Sequence, residues 1–406
     1  MLTTKPKVFE KPSGVKDYLP DTVAQLRYIE RNVLNCMQRW GYRELITPTL
    51  EYYDTVGIQS TTADDKLFKL LDRRGTTVVL RSELTAPIAR VVASVMKDHP
   101  MPIRLAYHAN VFRAIEEEAG QLAEFFQTGV ELVGDASADA DAEVIALAIA
   151  SLKAAGVEKF KLSVGHVGFV NGLLRGALPD QPEAQQELKD CLLKRNHVGY
   201  RQLIRRLTLS DKAKQVLEGI LRLRGGREIC GEAELLSDDA EAQAAIRHLC
   251  HIWEALEVYG VEDYVLMDLT MIGDFSYYTG MTFEAYAEQL GFPVCSGGRY
   301  DNLLRQFGRP APATGFALKT NRILELVAGQ LSIEPRRVLI VYDANSRDAA
   351  IRRAQSLREN ALDGEPLMVE TRLVESREEA ERMDLGAYEE RIDFFDGMEV
   401  EPCSRI

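Results

Sequence analysis

Four short segments bring together side chains able to hold a small polar ligand. In Leu80-Arg81-Ser82-Glu83-Leu84-Thr85 a strand-like run ends in a charged pair and a hydroxyl. Glu83 and Thr85 stand two apart, so an extended segment sets them on one face, able to grip an ammonium or imidazole group. The same residues also read as a helix start, with Ser82 as cap and Glu83 in the first turn. A second set is Arg113, Glu124, Gln127 and Glu131. An unbulged strand points Gln127 and Glu131 to one face together with Gly129, which leaves room for a ligand against the backbone. A solvated sheet face would carry the same pattern. The third segment, Gly273 to Gly280, carries the adjacent tyrosines Tyr277 and Tyr278. The fourth, Ser296 to Asp301, sets Arg299 after Gly297-Gly298, a pairing that marks a turn or a backbone lying close to a ligand.

Groups for covalent or metal chemistry are missing from the pattern. There is no G-x-S-x-G elbow, no H-E-x-x-H pair, no Walker loop and no G-x-G-x-x-G. His248 and His251 lie three apart beside Cys250 and read as a partly buried structural pair, because no acidic or cysteine partner stands at ligand spacing. The strand Val338–Tyr342 followed by Asp343 lacks the second acid and the small-residue turn of a phosphoribosyl-pyrophosphate loop. The chain therefore offers no catalytic residue, metal site or cofactor motif.

With 406 residues the chain suggests two or three domains, and 46% hydrophobic and 27% charged content is that of an ordinary soluble protein. The longest apolar runs, such as Val144–Ala150, fall far short of the ~18 residues of a membrane span. Met1–Phe9 has lysines but no apolar core of a signal peptide. Six scattered cysteines without a C-x-x-C pair point to reduced thiols and a cytoplasmic location. A net charge of −13 argues against a partner as anionic as nucleic acid. Residues 331–406 alone hold 11 arginines against 18 acidic side chains, or −7.

These segments need a scaffold, and the periodicity supplies one. Pro20-Asp21 opens a helix carrying Leu26, Ile29, Val33, Met37 and Trp40, with Gly41 as its stop. Glu44–Ile46 and Thr76–Arg81 read as strands, and Ala86–Val95 as a helix. Arg104–Arg113 and Phe125–Val133 read as an antiparallel pair around a polar loop. Asp139 or Asp141 is placed to cap a helix that runs to Ala155 and stops at Gly156. Phe160–Val164 is a strand. From Pro179 to Gly260 the texture is helical with a break at Gly225-Gly226 and no evident strand. Strands return at Tyr264–Leu269, Met281–Ala287 and Gly315–Leu318, with a helix at Asn321–Ala328. After a linker at Gln330–Arg337, the strand Arg337–Tyr342, the helix Asp348–Asn360 and the strand Pro366–Val369 form a small α/β unit.

In order, the segments resemble the catalytic core of class II histidyl-tRNA synthetases, from Pro12 to Arg322. Thr47-Pro48-Thr49-Leu50-Glu51 is similar to motif 1, Phe112-Arg113 through Glu124-Phe125 to motif 2, and Gly315-Phe316-Ala317-Leu318 through Arg322 to motif 3. Tyr277-Tyr278-Thr279-Gly280 and Gly297-Gly298-Arg299-Tyr300-Asp301 resemble the two histidine-specific motifs. The resemblance implies an α+β fold, a dimer built on an antiparallel six-stranded sheet flanked by helices. Residues 1–178 and 261–330 would form the synthetase-like core, 179–260 a helical insertion, and 331–406 a truncated C-terminal α/β domain.

The departures from that family bear on activity. Gly273 stands where the synthetases carry the arginine that polarises the reacting carboxylate and α-phosphate. In the motif 2 loop, Gln121 and Ala123 stand for arginines and Ile115 for an acid, while Glu116, Glu117 and Glu118 would repel phosphate. Losing one transition-state donor typically costs ~10²–10³ in rate, so losing several should abolish adenylation. The family's histidine-holding positions persist as Glu83, Thr85, Gln127, Glu131, Tyr277 and Tyr278, and Arg113 and Arg322 persist as well. A kept pocket with dismantled chemistry resembles the regulatory paralogues of the synthetases. Their implied role is to partner the short-form catalytic subunit of ATP phosphoribosyltransferase and to mediate feedback inhibition by histidine. Histidine would then be the effector and the chain a homodimer inside a hetero-oligomer, with no nucleic acid or membrane involved. The motif 2 glutamates offer a partner contact. The alternatives are a divergent histidyl-tRNA synthetase and a paralogue that aminoacylates a protein or carrier.

Overall fold

The computed structural model describes residues 11–60, 62–114, 122–273, 277–331, 335–361, 367–384 and 386–400. It divides into two compact units, Met1–Ala328 and Gly329–Ile406. In the first, α1 (Pro20–Arg39) starts on a proline, whose fixed φ suits the first helical position. It buries Leu26, Ile29, Val33 and Met37 along one stripe, and Gly41 turns the chain at φ 84°. After β1 (Arg43–Glu44), the strands β2 (Leu50–Tyr52), β3 (Lys69–Leu71) and β4 (Thr77–Leu80) form a small antiparallel sheet in the order β2-β4-β3. Helix α2 (Thr85–Ala93) leads to a long hairpin of β5 (Ile103–Phe112) and β6 (Glu124–Val133), paired from Ile103–Val133 to Phe112–Glu124.

Helix α3 (Ala138–Ala154) is buried on nearly every face, because β-sheet lies on one side and helices on the other. Its cap is Ser137, whose hydroxyl accepts from the Ala140 amide at 3.2 Å. Neither Asp139 nor Asp141 caps it: both lie inside the first turn, and Asp141 is drawn into the core by an arginine described below.

The chain continues through β7 (Phe160–His166), α4 (Val167–Ala177), α5 (Pro182–Leu193), α6 (His197–Arg206), α7 (Asp211–Gly219), β8 (Arg224–Gly225), α8 (Ile229–Glu234) and α9 (Ala240–Tyr259). The Gly225-Gly226 break hides a strand, since β8 pairs with β9 (Val265–Asp268) at the sheet edge. Helix α9 buries Ala245, Ile246, Leu249 and Leu256 while packing on α3 and α4, so it walls the core. Cys230 on α8 and Cys250 on α9 form a disulfide with 6.0 Å between their Cα atoms. This overturns the expectation of uniformly reduced thiols: the fold brings together two cysteines twenty residues apart, which spacing alone does not reveal. The unit closes with β10 (Met281–Ala287), β11 (Cys295–Arg299), α10 (Leu303–Gln306), β12 (Ala313–Lys319) and α11 (Thr320–Val327).

The main sheet has nine strands in the order β1-β5-β6-β12-β11-β10-β7-β9-β8. Its six inner strands, β5 to β7 in that order, are antiparallel throughout, while β1 and β9 join in parallel. This is the helix-flanked antiparallel sheet implied by the resemblance. In the second unit, β13 (Arg336–Tyr342), α12 (Arg347–Glu359), β14 (Leu367–Leu373), α13 (Arg377–Glu381), β15 (Glu390–Phe395) and β16 (Met398–Val400) form a four-stranded sheet ordered β14-β13-β15-β16. Strand β13 is buried between α12 and α13, which explains its unbroken apolar run.

Arg299, at the end of β11, is buried and donates through Nε and Nη2 to the two oxygens of Asp141 on α3, each at 2.9 Å. Its Nη1 donates to the Asp135 carbonyl at 3.0 Å. His248 of α9 stands 3.3 Å from the same aspartate, whereas His251 faces solvent, so the two histidines share no site. Removing one partner of such a buried pair leaves an uncompensated charge. Arg299→Met is therefore expected to lower the unfolding free energy by about 3–5 kcal/mol in urea titrations. Adding Asp141→Leu should restore much of that loss; a double variant no better than the single one would count against the pair as the cause.

Candidate functional site: a cavity with two electrostatic poles

Strand register builds the site. On β6, Glu131 pairs with Gly315 of β12 and Gln127 pairs with Lys319. Alternation then aims Gln127 and Glu131 to one face, as their spacing implies. Gly315 carries no Cβ because one would overlap the Glu131 carboxylate. Gly129 differs from the expectation. It leaves no room for a ligand, because the Tyr107 hydroxyl and the Phe316 carbonyl already fill the space a Cβ would occupy. Gly298 on β11 makes similar space for the Tyr278 ring.

Glu83, Thr85, Arg113, Gln127, Glu131, Tyr277 and Tyr278 all line one cavity of about 230 Å³. That is below the ~300–1,000 Å³ of drug-sized pockets and suits one small metabolite. Glu83 and Thr85 reach it from the turn into α2 rather than from an extended strand. The Glu83 carboxylate itself caps α2, accepting from the Thr85 and Ala86 amides, so the cap is Glu83 and not Ser82. Ser82 turns away to share a hydrogen bond with the Ser60 hydroxyl at 2.8 Å. Arg81 is structural: its guanidinium donates to the Thr47 and Asn110 carbonyls at 2.7 and 2.8 Å. Glu124 accepts from Asn110 Nδ2 at 2.7 Å, outside the cavity.

The acidic pole holds two buried carboxyls. Burial pushes Glu131 up to about 8 and also raises Glu83. Tyr300 donates its hydroxyl to Glu131, and the Thr85 hydroxyl hydrogen-bonds within the group formed by Glu83, Glu131 and Tyr277. The Tyr277 ring stacks on Tyr300 at 5.2 Å and meets Tyr278 edge-on at 5.0 Å. Burial holds the Tyr107, Tyr277 and Tyr300 phenols well above their ordinary range, so they stay neutral donors.

Cations line the cavity as well, with Arg113 within electrostatic reach of Glu83. Arg113 donates Nε to the Ser82 carbonyl at 2.9 Å and lies over the Phe125 ring at 5.4 Å. Arg322 donates to the Pro293 carbonyl at 2.7 Å and does not line the cavity. Lys319, which pattern reasoning missed, does line it. Gly315, Ala317 and Lys319 stand two apart on β12, so strand alternation would have found the lysine. Tyr107, Ser296 and Tyr300 are further lining residues outside the expected set.

At Gly273 the space a Cβ would take is filled by the Tyr278 ring, so a synthetase-like arginine could not stand here without displacing that tyrosine. Ala123 is buried; its amide donates to the Gly14 carbonyl at 2.7 Å and its carbonyl accepts from the Arg113 amide at 2.8 Å. Ile115, Gln121 and the glutamates between them lie outside the described residues. Among the described residues, no group of three or more histidine, cysteine, aspartate or glutamate side chains could hold a metal ion.

The Histidyl-tRNA synthetase family model matches residues 14–323. The chain is similar to the ATP phosphoribosyltransferase regulatory subunit of Halalkalibacterium halodurans, with 46% identity over 88% of this chain and 90% of that protein. It also resembles a solved structure described as an ATP phosphoribosyltransferase regulatory subunit/histidyl-tRNA synthetase from Bacillus halodurans. There the identity is 42%, the TM-score 0.88, and the coverage 96% of this chain and 99% of that one. The histidyl-tRNA synthetase of Nostoc sp. PCC 7120, at 17% identity, shares the fold with a TM-score of 0.80 over 97% of this chain and 96% of that one. The antiparallel sheet, the pocket motifs on it and these likenesses agree: the chain belongs to the ATP phosphoribosyltransferase regulatory subunit family, on the histidyl-tRNA synthetase fold.

Proposed function

We propose that this chain is a non-catalytic, histidine-sensing regulatory subunit that assembles with a short-form ATP phosphoribosyltransferase catalytic subunit in the cytoplasm. The observation that carries the reading is one small cavity lined by both buried acids and cations, beside a Gly273 that supplies no catalytic cation. Carboxylates suit the ammonium and ring nitrogens of histidine, and the cations suit its carboxylate. Feedback follows if histidine binds the inhibited assembly more tightly than the active one. The small β2-β4-β3 sheet exposes Leu50, Tyr52, Leu70 and Leu71, with Ile46 nearby at 80% exposure. An apolar face of that kind is suited to a second copy of the chain, which gives the homodimer within the hetero-oligomer. Among the described residues, no helix is long and apolar enough to cross a membrane.

Calorimetry on the full chain should show histidine binding, and Gln127→Ala or Glu83→Gln should weaken it about tenfold or more without unfolding the protein. Unchanged affinity in both variants would place the sensing site elsewhere. Histidine-dependent pyrophosphate exchange should be absent, and robust exchange would instead support the divergent synthetase. Co-purification with the short catalytic subunit, assayed with and without histidine, tests the partnership directly.

The raised Glu131 carboxyl predicts a pH signature. Because its folded value of about 8 lies above the ordinary 4.5, its contribution to stability is full below pH ~4.5 and is lost as pH rises through 8. The ligand-free protein should therefore lose thermal stability between about pH 4.5 and 8 relative to Glu131→Gln, which lacks this titration, and level off above that. Parallel melting curves for the two proteins would refute it.

A further inference from the structure

We infer that Lys319 is the carboxylate anchor of the cavity, and so selects an amino acid over an amine or alcohol carrying the same ring. This assignment rests on the reading of the cavity as a histidine site and adds the group that holds the ligand's negative end. Lys319 is the last residue of β12 and pairs with Gln127, whereas Gly315, four residues back, pairs with Glu131. At ~3.3 Å per residue the two positions lie ~13 Å apart along the strands. A lysine and a glutamate side chain reaching inward from those ends leave the middle for one small zwitterion.

Three cations gather at this end, but they are not equivalent. Arg113 is tied to the Ser82 carbonyl and Arg322 to the Pro293 carbonyl. The Lys319 ammonium lines the cavity and makes no hydrogen bond or ion pair among the described residues. Glu284 attracts it from a distance, while Arg322 and Arg113 repel it. An ammonium held in a crowd of like charges, with its donors unspent, gains most from an incoming anion. Its burial and its arginine neighbours pull it down to about 8, so a bound carboxylate would restore the fully charged form. The lysine thus complements Glu131, which a bound cation would drive to its charged form at the other pole. A ligand carrying both charges satisfies both groups, and a singly charged one leaves one pole unmet.

The test is titration calorimetry of the full chain with L-histidine, histidinol and histamine, the last two lacking the carboxylate. Wild-type protein should bind histidine at least about tenfold more tightly than either analogue. Lys319→Met should weaken histidine by about tenfold or more and leave histamine within about twofold, collapsing the discrimination. Lys319→Arg should recover part of it, and Lys319→Gln repeats the test if the methionine variant melts early. If wild-type protein binds histidine but Lys319→Met loses nothing, or loses histamine equally, the assignment to Lys319 fails alone. If wild-type protein binds no histidine, the histidine-site reading fails and takes this assignment with it. Binding of ATP that disappears in Lys319→Met, with histidine affinity intact, would make the lysine a phosphate ligand and overturn the proposal.

Discussion

The bidentate pair between Arg299 and Asp141 is the joint on which the first unit depends. It fixes the end of β11 to α3, and His248 of α9 packs 3.3 Å from the same aspartate, so sheet, core helix and α9 meet at this pair. A buried pair of this kind gives little net stability compared with apolar packing, because desolvation offsets the attraction. Its contribution is geometric: an arginine fork accepts one arrangement of its carboxylate. Residues next to Arg299 on the chain then take fixed places, with Tyr300 on Glu131 and Gly298 beneath the Tyr278 ring. The acidic pole of the cavity is aligned by an ion pair that does not touch the cavity.

The site itself is governed by the cost of burying charge. Two carboxyls and a lysine sit where water is scarce, and each is shifted toward its neutral form by that burial. The α2 amides, the Thr85 hydroxyl and the Tyr300 phenol relieve part of the cost at the acidic pole. What is left can be met by a ligand with opposite charges at its two ends. Groups held near their neutral forms by burial on β6 and β12 are suited to report occupancy by an oppositely charged ligand. This is consistent with a regulatory role, in which binding free energy is used to bias an assembly rather than a reaction.

Much of this was legible in the residues. The antiparallel hairpin, the α1 stripe and the C-terminal α/β unit follow from hydrophobic period, which depends only on which residues must face a core. The placement of Gln127 and Glu131 on one face follows from their spacing for the same reason, whereas Glu83 joins them from the turn into α2. Other features were illegible. The Cys230–Cys250 disulfide joins distant positions without a spacing signature. The cap of α3 falls at Ser137, two residues before the first expected candidate, while Asp141 pairs with an arginine far along the chain. Gly129 was read as space for a ligand because a glycine's missing side chain says nothing about what fills the gap; here it is Tyr107.

The sequence by itself determined the kind of fold, the family and the loss of a catalytic cation at Gly273, because these depend on residue identity and local period. Only the tertiary structure decided which polar residues face the cavity and which are structural. Arg81, Ser82 and Glu83 are adjacent in the chain, yet one clamps backbone carbonyls, one bonds a distant serine and one lines the site. Lys319 sits with Glu131 at opposite ends of one space only because β12 pairs with β6 in a particular register. Register, burial and charge spacing arise from contacts between segments far apart in the chain, and no local pattern encodes them.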